Sequence, residues 1–306
     1  MEPLRGRCLC GDVRYAASAP TGRMWHCHCR ACAKTSGVGF GTWIEATEVS
    51  WESRGRPRVH VASSADLRRS FCGSCGSVLP AERRDGSAAL LPAGGLDTVY
   101  DLRPGWHEYV AQRAPWLPAM ADLPCHPASH DEQPDTRAPC KAASPPWHAP
   151  ASPVPGSCLC GAVTYAANPP MHLMRACHCS RCRRRSGSSC FVGLACASSS
   201  LQILRGEALV RSWQLPASAR YIARFCAECG SSVPSVIGTN AFIPAGSLDS
   251  DPGVRIRCHI YFASRASWTC PDDDLPHFDE LPPRNFDWSG AESASQTSTT
   301  IRGTTA

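Results

Sequence analysis

A pattern of seven cysteines that occurs twice constrains this chain more than any other feature. Residues 8–15 read Cys-Leu-Cys-Gly-Asp-Val-Arg-Tyr, and residues 158–165 read Cys-Leu-Cys-Gly-Ala-Val-Thr-Tyr. Cys27-His28-Cys29-Arg30-Ala31-Cys32 returns as Cys177-His178-Cys179-Ser180-Arg181-Cys182, each copy running on through basic residues to Ser-Gly at 36–37 and 186–187. Phe71-Cys72-Gly73-Ser74-Cys75-Gly76-Ser77 returns as Phe225-Cys226-Ala227-Glu228-Cys229-Gly230-Ser231, and Pro92-Ala93-Gly94-Gly95-Leu96-Asp97 as Pro244-Ala245-Gly246-Ser247-Leu248-Asp249. His107 and Trp116 match His259 and Trp268. A repeat of this length fixes the domain count before any other reading. Two domains are expected, over residues 4–124 and 154–283, joined by a proline-rich linker at 125–153 and followed by a disordered tail at 289–306.

What twenty cysteines mean depends on the compartment. Met1-Glu2-Pro3-Leu4-Arg5-Gly6-Arg7 runs straight into the first motif, leaving no room for an apolar signal region. No run of about 18 apolar residues offers a membrane span. A cytoplasmic chain with metal-ligating thiols is therefore expected; a secreted disulfide framework is the alternative, and the spacings suit metals better.

Cys-x-Cys and Cys-x-x-Cys elements each present two sulfurs to one edge of a tetrahedron about 2.3 Å from a zinc ion, and two such elements close a structural site. Cys8, Cys10, Cys72 and Cys75 make one closed set, and Cys158, Cys160, Cys226 and Cys229 the other. Cys27, Cys29 and Cys32 remain, with Cys177, Cys179 and Cys182 in the second copy. Three ligands from one compact loop leave a coordination position free, which is the pattern of a catalytic zinc. Two zinc ions per domain follow. A histidine could fill the gap; His28 and His178 lie between two ligands, in a backbone tight enough to turn them outward. Cys190 and Cys196 could fill it in the second copy, where the first has Phe40 and Ala46. The spacing alone also leaves room for a swap of pairs between the sites.

The formal charge of +5 would suggest a polyanion partner. Fourteen thiolates on four Zn²⁺ ions bring the net to about −1, so neither nucleic acid nor a membrane is expected as a partner. Arg30 and Lys34 in one copy, and Arg181, Arg183, Arg184 and Arg185 in the other, are expected beside the three-cysteine sites, holding an anionic substrate or compensating thiolate charge. Cys125, Cys140, Cys190, Cys196, Cys258 and Cys270 fall outside the repeat and read as small buried residues or idle linker thiols. Proline (27) and glycine (24) break the apolar stretches into short runs, with no clean helical period over four turns. The fold class expected is all-β.

The order Cys-x-Cys-Gly, Cys-His-Cys-x-x-Cys with Ser-Gly, Phe-Cys-x-x-Cys-Gly-Ser, Gly-x-Leu-Asp and a His-to-Trp segment resembles the glutathione-dependent formaldehyde-activating enzyme family, to which centromere protein V also belongs. The resemblance covers both copies. It implies two tandem zinc-binding β-tent domains of small antiparallel sheets, with a structural zinc on the outer four cysteines and a catalytic zinc on the middle three. It also implies an S-(hydroxymethyl)glutathione synthase-like activity of the carbon–sulfur lyase class, with a small-molecule thiol such as glutathione as partner. A non-catalytic zinc module for protein interaction or metal storage is the competing expectation. The chain differs from the usual family member in being a tandem fusion.

Overall fold

The structure, a computed structural model, describes residues 3–53, 58–60, 67–97, 100–118, 123–131, 151–216, 218, 221–271 and 273–288. Most of the expected linker and the whole expected tail lie outside these residues. The first copy contains β1 (Leu4–Arg7), β2 (Val13–Cys27), α1 (Arg30–Ser36), β3 (Gly41–Ser53), β4 (Arg58–His60), β5 (Leu67–Phe71), β6 (Val78–Arg83), β7 (Ala89–Pro92) and β8 (His107–Glu108). The second contains β9 (Val154–Ser157), β10 (Thr164–Ala167), β11 (Met171–Cys177), α2 (Ser180–Ser186), β12 (Phe191–Ala197), β13 (Leu201–Arg205), β14 (Val210–Gln214), β15 (Ile222–Cys226), β16 (Ser235–Ile237), β17 (Asn240–Pro244) and β18 (His259–Ile260). The fold is mostly β, with two seven-residue helices among the described residues.

Both copies fold on one plan, cut differently. In the first, an eight-stranded sheet runs in the order β1-β2-β3-β7-β6-β5-β4, with β8 added parallel to β2. In the second, Pro169 and Pro170 interrupt the equivalent of β2, because proline supplies no ladder N–H. The equivalent of β3 is likewise divided, at Ser198–Ser200, and β15 is not laddered to β16, so the same plan appears as separate sheets, β13-β10-β9, β16-β17-β12-β11-β18 and β14-β15. Registers correspond across the copies: Cys27 pairs with Gly41 and Trp25 with Trp43, where Cys177 pairs with Phe191 and Arg175 with Gly193. Residues 123–131 pack on the first copy, with Cys125 bridged to His107 and His126 buried.

The copies interlock. Trp116, fully buried, packs with Val38, Phe40, Ala114 and Leu117 into an apolar cluster whose other members are second-copy residues such as Tyr165, Met174, Leu194 and Ile243. Reciprocally, Trp268 and Ala266 pack into the first copy's cluster with Tyr15, Met24 and Ile44. The repeated Ser-Gly and Pro-Ala-Gly motifs make the seam. Gly94 N–H donates to Gly187 O (3.1 Å), and Gly246 N–H donates to Gly37 O (3.0 Å). A Cβ on Gly94 would collide with the backbone of Ser188, and one on Gly246 with Ala33 O. Only glycine admits so close an approach of two backbones.

Candidate functional site

Four groups of cysteines converge whose sulfurs lie within 4.8 Å of one another: Cys8, Cys10, Cys72 and Cys75; Cys158, Cys160, Cys226 and Cys229; Cys27, Cys29 and Cys32; and Cys177, Cys179 and Cys182. Each group could hold a metal ion. Sγ separations of 3.3 Å (Cys8 to Cys10), 3.7 Å (Cys10 to Cys72), 3.5 Å (Cys158 to Cys160) and 3.9 Å (Cys160 to Cys226) surround the edge of about 3.8 Å that a tetrahedron with 2.3 Å zinc–sulfur bonds requires. The donor set fits zinc.

The four-cysteine groups are supported alike. Val13 N–H donates to Cys8 Sγ (3.3 Å) and Val163 N–H to Cys158 Sγ (3.2 Å). Ser77 Oγ accepts from Leu9 N–H and stands 3.2 Å from Cys75 Sγ; Ser231 Oγ does the same for Leu159 and Cys229, at 3.4 Å from the sulfur. Such N–H groups stabilise thiolate charge and fix the loops at the same time.

The three-cysteine groups sit where a strand ends and a helix begins. Cys27 and Cys177 close β2 and β11, and Cys29 and Cys179 are the N-caps of α1 and α2. Each helix stops after seven residues because Gly37 and Gly187 adopt left-handed φ of 75° and 71°, their N–H groups closing on Ala33 O and Arg183 O. Three sulfurs are thereby held on one turn. Among the described residues no fourth cysteine, histidine, aspartate or glutamate joins either group.

Several expected neighbours lie elsewhere. His28 and His178 leave the sulfurs but do not reach solvent: both are buried, His28 Nε2 lying 3.1 Å from His107 Nδ1 and His178 Nε2 2.7 Å from His259 Nδ1. Burial holds both imidazoles below their ordinary range, His178 at about 3. His178, His259, His26 and His107 border a cavity of about 260 Å³ between the copies, with Phe40 and Trp268. Cys190 also borders that cavity, and Cys196 is in the apolar cluster, so neither completes a metal set. Cys125 is disulfide-bonded, against its reading as an idle thiol.

The basic residues also depart from expectation. Lys34 Nζ reaches Asp249 Oδ1 (2.7 Å) and Ser157 O (2.8 Å), and Arg30 Nη2 reaches Asp249 Oδ1 (2.9 Å). Arg184 mirrors this on Asp97, at 2.7 Å. Arg183 bonds the carbonyls of His178 and Ser264. These four tie the chain to itself across or beside the seam. Arg185 and Arg181 remain, lining a cleft.

That cleft distinguishes the copies. Cys177, Cys179 and Cys182, all partly exposed, open on a cavity of about 720 Å³ walled by Arg175, Arg185, Phe191 and Tyr221. Arg185 is 6% exposed; its Nη2 donates to Arg224 O (2.7 Å), its Nε has no partner, and its guanidinium lies 5.4 Å from the Phe191 ring centroid. Cys179 is held down at about 3 by hydrogen bonds from Cys177 and Cys182, with backbone N–H groups adding to them. In the first copy Cys27 and Cys32 are buried, and two nitrogens point at one sulfur: Trp43 Nε1 (3.4 Å) and Arg69 Nη2 (3.5 Å) both donate to Cys32 Sγ. None of these neighbours was readable from cysteine spacing; the signal lay in the mismatches between copies, Trp43 against Gly193 and Arg69 against Ala223.

Fold and site together define a tandem β protein whose two halves each gather seven cysteines into a set of four and a set of three. The family described as glutathione-dependent formaldehyde-activating enzyme matches residues 3–112 and 153–264, and the chain belongs to that family. A solved crystal structure of a Rhodobacter sphaeroides protein is similar at 24% identity, covering 31% of this chain and 87% of that one. Its TM-score of 0.27 is too low to carry an argument. No curated protein matches. Among the described residues no helix is long and apolar enough to cross a membrane.

Proposed function

We propose that the chain is a zinc-dependent carbon–sulfur lyase-type enzyme that acts on a thiol–aldehyde adduct, with glutathione and formaldehyde as the default pair. In this reading two domains, over 4–124 and 154–283, each bind two zinc ions, and the protein works in the cytoplasm. The observation that carries the proposal is the three-sulfur group Cys177, Cys179 and Cys182 opening on a cleft with no fourth protein ligand among the described residues. A zinc ion bound there supplies a Lewis-acid position that lowers the pKa of an entering thiol.

The chain's own residues do the rest. Arg175, Arg181 and Arg185 make the cleft electropositive, which suits a thiol carrying carboxylates. Arg185 is the strongest candidate to grip one, since its Nε is buried without a partner and it stands against the aromatic wall of Phe191. Phe191 and Tyr221 exclude water from one side, so that thiol and aldehyde meet at fixed orientation. The sulfur–carbon bond forms as the carbonyl π bond breaks, and the thiol's proton ends on the former carbonyl oxygen. Nothing is oxidised or lost.

Thiols and formaldehyde also combine unaided, so the test is a rate above background. S-hydroxymethylglutathione formation should be faster with the zinc-loaded chain than without it, and should return to background in a Cys27→Ser/Cys177→Ser double variant that keeps its fold by circular dichroism. An unchanged rate in that variant removes the enzyme reading and favours a non-catalytic zinc module.

A further inference from the structure

The two three-cysteine groups share ligands, helix and register, yet their surroundings have been exchanged residue for residue. Where the first copy has Trp43, paired with Trp25, the second has Gly193, paired with Arg175. Gly41, whose absent side chain leaves room for the Trp43 indole (a Cβ there would lie 2.7 Å from Nε1), is replaced by Phe191. Two residues before the phenylalanine of each Phe-Cys-x-x-Cys motif, the buried Arg69 of the first copy becomes Ala223. Glu108, held by Trp25 Nε1 at 2.8 Å and set against Cys27, becomes Ile260.

The exchanges at Trp43, Arg69 and Glu108 act in the same direction, while Phe191 stands as a wall of the second copy's cleft. In the first copy an indole, a guanidinium and a carboxylate crowd the sulfurs, and two N–H groups already use Cys32. A guanidinium placed there compensates thiolate charge from within the protein, which an entering anion would otherwise exploit. In the second copy glycine and alanine vacate the same positions, and a cleft of about 720 Å³ takes their place.

We infer that only the second copy's three-cysteine site, Cys177, Cys179 and Cys182, accepts an exogenous thiol, and that Trp43 and Arg69 plug the equivalent site of the first copy. This rests on the reading of the open group as a thiol-accepting metal site, and deepens it. The first copy keeps its ligands as a structural centre beside the seam, while the tandem fusion leaves one working cleft per chain.

Cobalt(II) in place of zinc reports ligand exchange at thiolate sites through its visible absorption. The full cobalt-loaded chain, titrated with glutathione, should shift with a stoichiometry of one thiol per chain. Cys182→Ser should abolish the shift, and a Trp43→Gly/Arg69→Ala double variant should raise it to two. Two thiols per chain in the unmodified protein, none at all, or one persisting after Cys182→Ser would overturn the inference. A double variant that folds but stays at one would overturn the plug. The stoichiometry of the unmodified chain needs no variant to fold. One thiol per chain without catalysed adduct formation leaves this inference standing while the enzyme reading falls; catalysed formation with two thiols per chain does the reverse.

Discussion

At the scale of single residues, the repeated motifs turn out to serve two masters. The cysteines gather as their spacing implied, because Cys-x-Cys and Cys-x-x-Cys elements each present two sulfurs to one edge of a tetrahedron. The glycines, serines and aspartates between them serve contact between the copies, which no spacing rule reveals. Gly246 tests this. Its backbone is packed against Ala33 O, so Gly246→Ala should cost about 3 kcal/mol, at the upper end of overpacking costs since a backbone atom cannot swing aside. Gly161 has a left-handed φ of 74° but nothing within 4 Å, so Gly161→Ala should cost only about 1 kcal/mol. Urea midpoints of the two variants check the order; equal losses would place Gly246 outside any tight seam.

At the scale of elements, α1 and α2 show why a charge run is a poor guide to a substrate site. A seven-residue helix has about two turns, so its basic residues point in several directions, and sequence does not say which faces the sulfurs. Lys34 and Arg30 leave α1 toward Asp249, and Arg184 leaves α2 toward Asp97. The pairs are equivalent by repeat but not by burial: the Lys34 side chain is 9% exposed and that of Asp249 27%, against 15% and 35% for Arg184 and Asp97. Asp249→Ala strands a nearly buried ammonium and should cost about 3 kcal/mol. Asp97→Ala, at the wetter end, should cost about 1 kcal/mol. Thermal unfolding of both variants measures the difference, and a larger loss at Asp97 would contradict the burial argument. The same limit applies to the strands: short strands were expected from the broken apolar runs, but the 15-residue length of β2 depends on the partners its two edges find.

At the scale of the whole molecule, two copies were legible and their interlocking was not, since a repeat shows how many units a chain has without showing what covers them. Trp116 lies in an apolar cluster made mostly by the second copy, and Trp268 in one made mostly by the first. Neither half buries its core alone, so chemical unfolding should be a single transition, the same by tryptophan fluorescence and by circular dichroism. Trp116→Ala should lower that one transition by about 4 kcal/mol without splitting it. Two separable transitions would mean independent domains. The central claim concerns metal: seven cysteines in each half serve two ions, one enclosed by protein and one not. An anomalous-difference map at the zinc edge tests it most directly. The account predicts four peaks per chain, at the four cysteine groups, with the ion at Cys177, Cys179 and Cys182 completed by an atom from outside the protein on the cleft side. Disulfides in place of those peaks, or a fourth side chain on that ion, would contradict it.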